Sequence, residues 1–66
     1  MATVVPLEQA LFAVRYRGCT ARLRLGRTEL VIQKGEDGLV ALAYVDGWIQ
    51  ELMFKDLPSD GWVINN

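Results

Sequence analysis

Sixty-six residues, 52% of them apolar, with one cysteine, no histidine and a formal charge of −1, describe one small domain. Cys19 alone makes no internal disulfide, and without histidine the chain lacks the close-spaced ligand set of a zinc site. A domain of this length buries only roughly 60% of the surface its unfolded chain exposes, so its core must suffice or association with another chain must add to it.

The first segment reads in two ways. As a helix, Pro6 occupies a tolerated first-turn position and Glu8 favours the N-terminal end. Leu7, Ala10, Leu11 and Val14 then follow a 3.6-residue period, with Arg15 and Arg17 in the last turn and Gly18 as the cap. As a strand, Phe12, Val14 and Tyr16 alternate with Ala13, Arg15 and Arg17. The helix is preferred, because its start and stop signals agree with the periodicity and because a sheet needs a lid. Thr3-Val4-Val5 is expected as an edge strand pairing with the C-terminus.

Residues 20–33 form the clearest local unit, a hairpin closed by Gly26-Arg27 in a type II′ turn. That closure pairs Leu23 with Leu30 and Ala21 with Ile32 on one face. On the other it pairs Arg24 with Glu29, Arg22 with Val31 and Thr20 with Gln33. Lys34 to Gly38 reads as a polar loop, and Leu39–Val45 is apolar throughout, as a central strand is. Asp46-Gly47 signals a type I′ turn into a strand Trp48–Phe54, with Val45 opposite Trp48 and Leu39 opposite Phe54. Lys55–Gly61 is a loop and Trp62–Ile64 a short last strand. Asp46-Gly47-Trp48 and Asp60-Gly61-Trp62 echo one another, most simply as two turns that each lead into a strand with a packed Trp. The expected architecture is α+β, a small antiparallel β-meander of four to five strands with one N-terminal helix. The alternative is an all-β barrel or sandwich.

Charge is distributed unevenly. Arg15, Arg17, Arg22, Arg24 and Arg27 put +5 into residues 15–27, whereas residues 28–66 carry −5. Arginine-bearing ribbons contact phosphates or lie in grooves, yet the sequence pI of about 5.1 is acidic for a nucleic-acid domain. Tyr16 is the lone candidate for a surface aromatic beside these arginines, so the stacking pattern of single-strand binders is missing. The acidic part holds Tyr44, Trp48, Phe54 and Trp62. Acids such as Glu51 and Asp60 around a partly exposed Trp48 or Trp62 would suit a basic surface on a partner, with Tyr44 and Phe54 packed inside.

Catalytic constellations are missing from the sequence. No Ser-His or Cys-His pair exists, the adjacent acids Glu36-Asp37 sit in a glycine-flanked loop, and that loop lacks the Lys-Ser/Thr of a phosphate cradle. The chain is therefore expected to be no enzyme, to hold no cofactor or metal, and to act as a protein-binding module that regulates or inhibits a larger complex. The expected partner-binding residues are Arg15, Arg17, Arg22, Arg24, Arg27, Trp48, Glu51, Asp60 and Trp62. A nucleic-acid-binding ribbon and a homo-oligomeric structural subunit are the alternatives. The N-terminus lacks a basic leader region, Glu8 interrupts its apolar stretch, and Gly38–Val45 is far short of the ~20 residues needed to cross a bilayer. A cytoplasmic location without membrane contact is expected, and the size and type suit a phage or mobile-element product. No motif is specific enough to place the chain in a family.

Overall fold

The computed structural model describes residues 3–65. Their elements are β1 (Val4–Val5), α1 (Leu7–Arg17), β2 (Thr20–Leu25), β3 (Thr28–Gly35), β4 (Gly38–Val45), β5 (Trp48–Leu52), a 3₁₀ turn at Phe54–Asp56 and β6 (Trp62–Asn65). The strands make one antiparallel sheet in the order β1-β6-β2-β3-β4-β5, with β1 and β5 at its edges. The fold is α+β, with one helix against an open sheet. Residues 7–17 are helical, which rules out the all-β alternative. The sheet exceeds the expected four to five strands because β1 and β6 both join the meander.

The helix begins immediately after Pro6, whose extended backbone (φ −70°, ψ 163°) precedes the first turn. The Leu7 N–H is satisfied from outside the helix, donating to the Ser59 carbonyl at 2.9 Å. At the other end Gly18 takes the left-handed conformation, and the Cys19 N–H reaches back to the Ala13 carbonyl at 3.3 Å. Ala10, Ala13 and Val14 face the sheet and are buried.

The first hairpin has the expected register, with Ala21 opposite Ile32, Leu23 opposite Leu30 and Arg24 opposite Glu29. Asp46 (φ 46°) and Gly47 (φ 86°) both have positive φ, as a type I′ turn requires, and Val45 lies opposite Trp48. Two boundaries differ from expectation. The Lys34–Gly38 loop is only the two-residue turn Glu36-Asp37, because Lys34-Gly35 and Gly38-Leu39 continue the ladder. Gly38 there has φ 126°, a region open essentially to glycine alone. Gly38→Ala is accordingly expected to lower stability by about 1–3 kcal/mol in a denaturant titration. A loss under ~0.5 kcal/mol would mean that the turn relaxes around the new methyl group.

The second difference lies in β5, which ends at Leu52, opposite Ala41. Leu39 pairs with Lys34 of β3, and Phe54 belongs to the 3₁₀ turn, where the Asp56 N–H donates to the Met53 carbonyl at 3.0 Å. The chain must leave the edge here in order to cross the sheet and enter β6 on its far side. That crossing buries Leu57 beneath the helix layer. The core of this single layer is Ala10, Val14, Ala21, Leu30, Ile32, Ala41, Ala43, Leu57 and Trp62.

Candidate binding face

The sheet residues of that core cluster all point to the side that carries α1 and the β5–β6 crossing. Because neighbours in a strand point to opposite faces, the intervening residues form a second face, with no layer of the described residues over it. Strand register sets its rows. One row runs Val4, Val63, Arg22, Val31, Leu42, Glu51 from edge to edge. The next runs Arg24, Glu29, Tyr44, Ile49, and a third pairs Gln33 with Val40. Val31 is only 3% exposed although it lies on the open face. At the free edge Ile49 is 63% exposed.

The centre of this face is thus apolar and its flanks are charged. On β2, Arg22 donates from Nη1 to Glu29 Oε1 at 2.9 Å, while Arg24 Nη2 lies 3.9 Å from Glu29 Oε2. Glu29 therefore serves both arginines and sits closer to the diagonal one than to the one directly opposite. Pairs this exposed contribute about 0.2–1 kcal/mol each, so their main effect is on charge and orientation rather than on stability. On β5, at the other flank, Glu51 is exposed.

The nine residues expected to contact a partner do not form one surface. Arg22, Arg24 and Glu51 share the open face. Arg15 and Arg17 end the helix, which covers the opposite side of the sheet, and Arg27 stands at the tip of the first hairpin. A run of five arginines that is continuous in sequence is thus divided among three places, because a helix end, a strand and a turn follow each other within it. Asp60 accepts the Gly61 N–H at 2.8 Å, closing the bend before β6. Trp48 is 77% exposed at the β5 edge, on the helix side of the sheet but beyond the helix itself.

Trp62 must be withdrawn from the contact set. It is 0% exposed and donates from Nε1 to the Pro58 carbonyl at 2.8 Å. The two Asp-Gly-Trp sequences therefore diverge: β6 is an interior strand whose Trp lies under the helix layer, and β5 is an edge strand whose Trp does not. The expectation that Phe54 packs inside also fails, since it is 37% exposed where the chain turns off the sheet, whereas Tyr44 is half-buried on the open face. Leu42, Ile49 and Val63 were missed as surface candidates. Their signal was available in the apolar residues that share the ladder rows of Arg22 and Arg24.

Elsewhere, two grooves flank the helix. One is lined by Val5, Gln9, Phe12, Ala13, Arg17 and Ile64, the other by Leu11, Arg15, Asp37, Leu39 and Phe54. Neither sets a nucleophile beside a base. Phe12 and Tyr16 pack in a tilted arrangement on the exposed side of α1, with ring centroids 4.9 Å apart. Cys19 is buried. Among the described residues no three His, Cys, Asp or Glu side chains gather as a metal site, and no helix is long and apolar enough to cross a membrane. Comparison with known proteins finds no matching family model, no matching curated protein and no matching solved structure.

Proposed function

We propose that this chain is a small non-enzymatic protein-binding module, acting in the cytoplasm as a regulator or inhibitor of a larger complex, and that it binds through the open face of its sheet. The observation that carries the reading is the row Val63, Arg22, Val31, Leu42, Glu51, in which opposite charges flank the partly exposed Leu42 on a face that no layer of the described residues covers. Such a strip suits another protein surface, which offers apolar area for the centre and both signs of charge for the flanks. It suits a polyphosphate poorly. Glu29 offsets part of the charge of Arg22 and Arg24, and the other three arginines stand elsewhere. The non-enzymatic part rests on the residue inventory, which lacks histidine and pairs carboxylates in sequence only within a tight turn.

Capture on the immobilised chain from nuclease-treated extract, beside titration of labelled duplex and single-stranded DNA, separates the classes. A protein retained after nuclease, with negligible nucleic-acid binding at physiological salt, is the expected result. Salt-dependent DNA binding that Arg22→Ala/Arg24→Ala removes would replace this reading with a nucleic-acid ribbon.

A further inference from the structure

We infer that the occupant of the open face is a second copy of this chain, packed sheet to sheet about a two-fold axis that runs parallel to the strands between β3 and β4. The inference rests on the reading of that face as a protein-binding surface and names what binds there. Its basis is the order of charges along one row. From β2 to β5 the row reads Arg22, Val31, Leu42, Glu51, positive, apolar, apolar, negative. A two-fold axis along the strands turns the second copy's row end for end. Arg22 then faces Glu51 of the second copy, and the half-buried Leu42 comes over the second copy's Val31, which at 3% exposure adds little contact of its own. Both charge pairs form at once, because the interface is isologous.

Other placements lose this match. An axis perpendicular to the strands sets Arg22 against Arg22 and Glu51 against Glu51. Moving the parallel axis to the geometric centre of the six strands, between β2 and β3, sets Arg22 against Val31 and Glu51 against Val4. Arg22 and Glu51 stand about 14 Å apart across three strand spacings, so two sheets at the usual ~10 Å separation bring each within reach of its opposite number. In the next row the same operation places Tyr44 opposite Glu29 and Ile49 opposite Arg24, with no like charges facing.

Area limits the strength. Four strands of about five residues each present on the order of 500 Å² per copy, near the lower bound for a specific interface, so association in the micromolar range is expected. Glu29 keeps its contact with Arg22 from the side and leaves the guanidinium's remaining donors for the facing carboxylate.

Sedimentation equilibrium on the full chain tests this, with Glu51→Lys alone and combined with Arg22→Glu. The wild type is expected to approach twice its 7.4 kDa mass with rising concentration. Glu51→Lys should weaken the dimer at least ~10-fold, because it sets two like charges face to face. The double variant should recover most of that loss, although it forfeits the Arg22–Glu29 contact in monomer and dimer alike. A wild type that stays monomeric at millimolar concentration overturns the inference. If that monomer still captures a different protein through Leu42, the binding-face reading survives without it. A dimer abolished by Leu42→Asp but indifferent to both charge variants overturns the placement of the axis. A dimer indifferent to all three overturns the inference and the binding-face reading together.

Discussion

Trp62→Ala is expected to leave the chain largely unfolded at room temperature, while Trp48→Ala melts within a few degrees of the wild type. The two residues occupy matching positions after an Asp-Gly pair, yet one is wholly buried and the other mostly exposed. Truncating a buried Trp costs about 3–5 kcal/mol through lost transfer energy and the cavity left behind. The Pro58 carbonyl loses its indole partner as well, at roughly 1 kcal/mol. A chain of this length has only about 3–10 kcal/mol in total. Trp48, at a solvent-exposed edge, falls among surface substitutions within about ±0.5 kcal/mol. Circular dichroism melts of both variants decide the matter, and Trp62→Phe, which keeps a smaller aromatic ring and forfeits the hydrogen bond, should fall between them. Equal losses from Trp62→Ala and Trp48→Ala would mean that the crossing after β5 does not cover Trp62 as described.

Leu42→Asp is the second large effect, and it falls on binding rather than folding. Leu42 lies at the middle of the open-face row, between Val31 and Glu51. In the isolated chain it is half-buried with no layer above it, so an aspartate there keeps its water and the fold survives. The cost should be about 1 kcal/mol, from β propensity and lost contact with neighbours. In a sheet-to-sheet interface the same carboxylate is desolvated without a partner, and affinity should fall at least ~100-fold, a loss of about 2.7 kcal/mol. Association measured beside a thermal melt separates the two effects. Ile49→Asp, nearer the rim, serves as a milder second variant. Retention of full affinity by a folded Leu42→Asp would remove the open face from any account of binding.

Much of this fold was legible in the sequence because its local signals agree with one another. Pro6, Gly18 and the Leu7-Ala10-Leu11-Val14 spacing mark both ends and the inner face of α1. Gly26 and Asp46-Gly47 set two hairpin registers, and each register puts apolar residues on the helix side. The errors occur where the outcome depends on the path through space. Phe54 looked like the end of a strand because nothing within Trp48–Phe54 says that the chain must depart to reach β6. Trp62 looked like a twin of Trp48 because burial depends on whether a strand is interior or at an edge, and sheet order is a non-local property. The open face was half visible. Leu39–Val45 is apolar on both sides, which signals cover on both sides, yet the described residues supply one α-helix. The arginine segment misled for the opposite reason, since closeness in sequence spans a helix end, a strand and a turn that face different ways.

The most direct test of the open face is an amide NMR dilution series of the wild-type chain from millimolar to micromolar concentration. Concentration-dependent shifts concentrated at Val31, Leu42, Tyr44, Ile49 and Glu51, with the α1 amides unmoved, are what a sheet-to-sheet association predicts. Shifts centred on Phe12, Tyr16 and the helix, with the open-face amides constant, would contradict it.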